Sequence, residues 1–225
     1  MVSMSLLRSI RSMITPAPAR ADRALHFPET LCAPRGMVAI RLRTMGAEDL
    51  GAWNAVRARN ASWLAPWESG DPQNGGGLTF QQWLQRQRRD ENEGTAIVLL
   101  IEFQMRIVGQ ISLGAITYGS MRTGVVGYWV AQDAIGHGIA PTAVAMLADW
   151  ALHDDDGPHL HRLEIAIVPC NDRSLRVVAK LEAHREGLRP GYMYVDGQWR
   201  DHLTFSLLAE DAPQGFATRL LARHA

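Results

Sequence analysis

The sequence predicts a mixed α/β domain. Three observations carry that reading. The apolar residues repeat every second position in some segments and at helical spacing in others. Three strand-like runs at 95–102, 106–117 and 124–130 follow one another with only short breaks, as antiparallel hairpins do. After them comes a strand, a helix and a strand, 124–130, 139–153 and 161–168, the order of a parallel crossover.

The elements follow in chain order. Residues 1–36 hold Pro16, Pro18, Pro28 and Pro34 and no regular pattern, so they read as a flexible extension. The first 21 residues, with Arg8, Arg11, Arg20 and no acid before Asp22, also have the composition of a transit peptide; the extension is the reading adopted. The folded domain is expected over 37–210, with 211–225 as a C-terminal tail able to form a helix. Residues 37–43 (MVAIRLR) alternate as a strand does, and 48–60 place Leu50, Trp53 and Val56 on one helical face. Residues 62–77 are rich in Gly, Pro and Trp and read as a loop, and 78–88 return to helical spacing through Phe80, Trp83 and Leu84. Two glycines in the strand 124–130 imply a bulge or a close backbone approach. The helix at 139–153 carries Pro141 in its first turn, where proline is tolerated. A helix over 172–183 shows Leu175, Val178 and Leu181 on one face, and a hairpin turns at Asp196-Gly197 between 191–196 and 199–208.

Composition narrows the function. With 225 residues, 47% hydrophobic and 20% charged, the chain is an ordinary globular protein. Lys+Arg and Asp+Glu are both 23, so no net positive charge suits it to grip nucleic acid, and no direct nucleic-acid binding is expected. The longest apolar run, near 95–101, ends at Glu102, far short of the ~20 residues of a membrane span. Cys32 and Cys170 make neither a disulfide framework nor a zinc site, which points to a reducing cytoplasm. The acids and histidines at 153–161 read as a solvated loop, and no metal is expected.

The chemistry sits in residues 128–143, YWVAQDAIGHGIAPTA. A strand enters a loop with Gly136 and Gly138 and leaves directly as a helix. Free amides and the positive end of the helix dipole favour an anion there. No Gly-Lys-Ser/Thr follows, and Pro141 stands where a dinucleotide fold needs its third glycine. Turn chemistry alone is the plainer reading of such glycines.

Four features together resemble the GNAT-superfamily N-acetyltransferases, and within them the RimJ/RimL-type ribosomal-protein alanine acetyltransferases. Ile135-Gly136-His137-Gly138-Ile139-Ala140 fills the family's Gln/Arg-x-x-Gly-x-Gly/Ala loop, with Ile135 in place of the usual Gln or Arg. Asn171-Asp172-Arg173-Ser174 fits N-x-x-S; Arg41-Leu42-Arg43 with Asp49 fits the opening; Trp199-Arg200-Asp201-His202 fits the last strand. The resemblance implies a GNAT fold, a mostly antiparallel twisted sheet flanked by helices and splayed where acetyl-CoA binds. It implies that amides of 135–140 hold the pyrophosphate, that the strand edge at Trp129 and Val130 pairs with the pantetheine, and that Asn171 bonds its arm. It also places Trp63 and Trp67 beside the acceptor groove. The chain departs with Glu182-Ala183 where Gly-Phe is usual, and with Ala166 where some members carry a base glutamate.

Acyl transfer needs a neutral amine and a proton for the departing thiolate. Glu164 shares a strand face with Ala166 and is the candidate base; a surface ion pair with Arg162 is the alternative. Ser174 is the candidate donor, with a helix cap as its alternative, and Tyr128, Tyr192 and Tyr194 are further donors. The expected activity is direct acetyl transfer from acetyl-CoA to a protein's α-amino group, ribosomal protein included. A small amine, antibiotic or polyamine, is the enzymatic alternative, and a non-catalytic acyl-CoA-binding domain the other.

Overall fold

The computed structural model describes residues 23–73 and 78–223. Its strands are β1 Leu31–Cys32, β2 Ile40–Thr44, β3 Ile97–Phe103, β4 Arg106–Thr117, β5 Thr123–Val130, β6 Arg162–Ile167, β7 His184–Val195 and β8 Gln198–Leu208. Its helices are α1 Leu50–Arg59, α2 Ala61–Leu64, α3 Phe80–Glu93, α4 Ile139–Leu152, α5 Asp172–Lys180 and α6 Phe216–Ala222. The strands form one open sheet in the order β1-β2-β3-β4-β5-β6-β8-β7. Only β5 and β6 run parallel, joined through α4 as the expected crossover. Among the described residues no helix is long and apolar enough to cross a membrane.

The core lies between the sheet and α4. Val144, Leu147 and Ala151 of α4 are fully buried in one core with Leu99 of β3, Ile111 of β4 and Leu163 of β6. Trp150 sits at the far end and is the largest buried side chain. Asp149 of α4 accepts hydrogen bonds from the amides of Phe216 and Ala217, which docks α6 to the same helix. Gly124 lies so close to Leu113 that a Cβ would fall 2.6 Å from its Cδ1, so that glycine marks a close approach. The register irregularity falls instead on the β4 side, between Gly114 and Thr117.

Several boundaries differ from the sequence expectation. The ordered unit starts before residue 37. The Leu25 amide donates to the Glu91 carbonyl (2.9 Å), Phe27 meets Trp150 edge-on at 5.0 Å, and β1 pairs with β2. Pro28 and Pro34 do not prevent this, because an extended strap suits proline. Residues 1–22 lie outside the described residues. The segment expected to be a loop contains α2 and a 3-10 turn, Ala65–Trp67. α3 runs on to Glu93 because Thr79 and Gln82 close a capping box at its start and Gly94, at φ 69°, ends it. α5 stops at Lys180, and β7 begins at His184 rather than 191. In the tail, α6 covers seven residues.

The Arg-Leu-Arg…Asp opening has a structural cause. Arg43 holds Asp49 through two bonds of 2.8 and 2.7 Å and reaches Glu102 of β3 at 2.8 Å. Asp49 is 5% exposed and also accepts the Gly46 amide. The guanidinium therefore holds the Asp49 carboxyl below its usual range. This pair fixes the entry of α1 to β2 and β3. We predict that Asp49→Asn lowers stability at pH 7 by about 3 kcal/mol, the scale for removing one partner of a buried pair. A depressed folded-state pKa contributes stability above the unfolded value of ~3.9 and loses it as pH falls through the folded value. The parent and variant melting curves should therefore converge in acid, as pH falls through the lowered folded-state value of Asp49.

Candidate active site

The sheet opens at β5. Pairing with β6 covers Thr123↔Arg162 to Val125↔Glu164 and then stops, while pairing with β4 continues to Gly109↔Val130. The rest of β5 keeps one bare edge. The Ala131 amide donates to Val108 (2.7 Å), so the other end of that peptide, the Val130 carbonyl, turns to the open side. There it accepts the Trp63 indole N–H at 3.2 Å. The pleat turns the amides of Tyr128 and Val130 to the same open side. Trp129 differs from its expected role. Its backbone faces β4, and its ring lies in the wall of a neighbouring cavity, under the Arg57 guanidinium at 5.5 Å.

The glycine loop follows. A 3-10 turn, Gln132–Ala134, leads into it. The buried Asn60 side chain fixes that turn by accepting the Gln132 amide and donating to the Val56 carbonyl, both at 2.8 Å. Gly138 is the N-cap of α4 at φ 78°, and no side chain caps the helix. The Thr142 amide goes to the Gly138 carbonyl and Pro141 has none, which leaves the Ile139 and Ala140 amides free at the dipole's positive end. A Cβ on Gly138 meets no protein atom within 4 Å. Ile135, Gly136 and His137 are exposed, and the Ile139 side chain is buried in the core, so only its amide faces the loop. His137 Nδ1 lies 3.4 Å from the Ala134 carbonyl.

Across the opening stands the start of α5. Asn171, not Ser174, is the cap: its Oδ1 accepts the Ser174 amide at 3.1 Å. Its side-chain NH₂ is left for other use. Ser174 lines the cavity. Tyr128 approaches it from β5, yet the Tyr128 hydroxyl makes no hydrogen bond of normal geometry and is shielded from solvent. Burial pushes its pKa up to about 12, so it carries its proton throughout the neutral range.

The cavity has about 1360 Å³ and lies between α1, α3 and the β7–β8 hairpin. Trp53, Trp83 and Trp129 form one wall, with centroids 6.4 and 5.6 Å apart. Trp67 lines it, and Trp63 lies between the β5 edge and Arg173, whose guanidinium is 4.5 Å from its ring. Glu164 is not free to act as a base. It is 8% exposed, Arg189 holds both its oxygens at 2.6 and 2.7 Å, and the Tyr192 hydroxyl donates to it at 2.9 Å. Arg162 adds a contact at 3.4 Å and pairs with Glu186. The carboxylate thus pins the β7–β8 hairpin to β6. Sequence spacing showed its strand face correctly but carried no signal for Arg189, 25 positions away. His202, seen in sequence only as part of a motif, is 3% exposed and lines the cavity.

Comparisons with known proteins agree with this geometry. The acetyltransferase (GNAT) domain family matches residues 39–184. The solved structure of Mycobacterium smegmatis RimJ in complex with CoA-disulfide superposes with a TM-score of 0.75 and 32% identity, over 87% of this chain and 94% of that one. The ribosomal protein uS5-alanine N-acetyltransferase of Escherichia coli is 27% identical over 180 residues, 78% of this chain and 91% of its own. A probable N-acetyltransferase of Bacillus subtilis, YjcK, is 34% identical over 109 residues; the match takes in 48% of this chain and 59% of that relative's length.

Two variants separate scaffold from chemistry here. Asn60→Ala leaves the Gln132 amide without its partner and should lower stability by about 1 to 3 kcal/mol. Tyr128→Phe removes a buried hydroxyl with no partner, so its melting temperature should equal or exceed the parent's. A lower melting temperature for Tyr128→Phe would mean that the hydroxyl is bonded in the folded protein.

Proposed function

The chain belongs to the acetyltransferase (GNAT) family, and we propose that it moves the acetyl group of acetyl-CoA to the α-amino group of a protein, with a ribosomal protein as the leading acceptor class. The single observation that carries this reading is the bare edge of β5 running directly into a free helix N-terminus. An extended amide-bearing arm pairs with such an edge as an added strand does. A pyrophosphate suits the amides of Ile139, Ala140 and the loop before them. The residues present fit that group without a polar side chain at Ile135.

The acceptor side supports a peptide. The cavity of about 1360 Å³ reaches from the β5 edge, where Tyr128, Asn171 and Ser174 line it, to Trp67 and the β7–β8 hairpin, which leaves room for an extended acceptor chain beside the thioester arm. The names of the relatives point the same way, since the Escherichia coli protein is a ribosomal-protein alanine N-acetyltransferase. A cytoplasmic setting follows from such an acceptor. Transfer is direct, from the bound thioester to the amine. The amine lone pair forms the new C–N bond as the C–S bond breaks. An α-amino group with pKa near ~8 supplies neutral amine at physiological pH. Tyr128, held protonated beside Ser174, gives its proton to the departing sulfur. Its unpartnered hydroxyl is a cost in stability retained at the place where a proton is needed.

The test is coenzyme A release against peptides of different first residue and against polyamines and aminoglycosides. Turnover confined to peptides supports the proposal. Turnover confined to small amines replaces the acceptor, and no release with any acceptor leaves an acyl-CoA-binding domain. Tyr128→Phe should lower kcat by about 10²-fold, the ordinary contribution of one proton donor. Calorimetry should show Gly138→Val binding acetyl-CoA at least ~10-fold more weakly, because the position needs φ > 0 and close approach. Ile135→Ala should bind within about twofold of the parent, since only its amide serves.

A further inference from the structure

His202 takes no part in the arrangement above, although it stands in the acceptor cavity. On β8, Phe205 and Leu207 are in the core, and Leu203 packs against it. The strand's period of two therefore turns His202, Thr204 and Ser206 to the opposite face. Thr204 pairs with Ala166 of β6, so the imidazole stands diagonally beside the small side chain of Ala166. The ring is fixed at two points. Its Nδ1 lies 3.0 Å from the Arg200 carbonyl, and the Tyr192 ring meets it edge-on at 5.8 Å. A carbonyl can only accept, so Nδ1 bears a proton, and in the neutral ring the lone pair is on Nε2.

We propose that Nε2 of His202 is the general base that takes a proton from the α-ammonium of the acceptor. This rests on the acetyltransferase reading above and adds a catalytic residue to it. The balance is simple. One ammonium proton passes to Nε2 and from there to water. The freed lone pair attacks the thioester carbon, the C–S pair leaves on sulfur, and the nitrogen's second proton offsets the one the sulfur takes up. Each turnover yields an amide, a thiol and one proton in solution. The tasks that Glu164 cannot perform, because Arg189 and Tyr192 occupy it, thereby fall to an imidazole on the neighbouring strand, four register positions along on the same face.

The charged and titratable groups around His202 are few. Arg189, its partner across β7, is spent on Glu164, and the Tyr192 hydroxyl donates to the same carboxylate. The far side of the cavity carries Arg57, Glu68 and Asp71, of which Arg57 and Glu68 are paired.

The experiment compares the full chain with His202→Ala and His202→Gln, using a peptide that the parent acetylates. We expect kcat/KM at pH 7 to fall about 10²-fold in both, with acetyl-CoA affinity by calorimetry unchanged within twofold as the folding control. Below the amine's pKa of ~8 the variants should lose a factor of ten per pH unit, following the free-amine fraction, while the parent falls less steeply. Added imidazole should restore His202→Ala at least tenfold and leave His202→Gln unchanged. The assignment is overturned if either variant keeps kcat/KM within threefold of the parent. It is also overturned if the variants lose rate while retaining the parent's pH profile and ignoring imidazole. A parent that turns over no acceptor contradicts the acetyltransferase reading itself, and this proposal with it.

Discussion

Three residue pairs hold β5 to β6, and beyond Val125 the two strands part. The backbone of β5 cannot leave its polar groups unpaired without cost, since each unpaired buried amide or carbonyl costs ~1 to 3 kcal/mol. On that side the Val130 carbonyl finds a partner in the Trp63 indole. What surrounds the opening serves to keep it open. α4 leaves from the end of β5, packs under the sheet and leads into β6, which pairs with β5 from Thr123 to Val125. Asn60 fixes the turn before the glycine loop, and Asn171 caps the helix on the other bank. The opening is therefore a built feature with rigid edges.

The two sides of the opening have different chemistry. On the α4 side lie free amides and a helix N-terminus, a set that favours an anionic, amide-rich ligand, and the proton-bearing Tyr128 stands between the two, where it also lines the cavity. On the opposite face lies a cavity walled by tryptophans, with ion pairs at its rim and the Glu164 cluster behind it. Glu164 shows how a buried carboxylate can be structural in a site that needs a base. Two arginines and a phenol surround it, and the pair ties β7 to β6 across β8, which itself stays paired to β6 over six positions. Tyr128, the proposed donor to the departing sulfur, carries a buried hydroxyl that makes no hydrogen bond of normal geometry.

Much of this was legible in the sequence because local chemistry dictated it. The period-two runs became β3, β4 and β5, and Gly136 and Gly138 marked the strand-to-helix corner where φ of 78° is needed. The motif Arg43…Asp49 was read as a resemblance and proves to be an ion pair closing α1 onto the sheet. What the sequence hid was long-range. Nothing local tells that Leu25 and Phe27 strap across α3 and α4, because their partners Glu91 and Trp150 lie far along the chain. Proline spacing there suggested disorder, whereas an extended strap tolerates it. Arg189 capturing Glu164 and Trp63 capturing Val130 are likewise tertiary contacts with no periodic signature. Trp129 was placed on the right strand but with its backbone to the wrong side, a distinction of one residue in a period of two.

The central claim is that the bare edge of β5 and the start of α4 together hold acetyl-CoA. Residue-resolved amide hydrogen exchange with and without acetyl-CoA tests it most directly. The account predicts slowed exchange at the amides of Tyr128, Val130, Ile139 and Ala140, with Trp129 unchanged because its amide already faces β4. Binding of acetyl-CoA that left those four amides unprotected would contradict it.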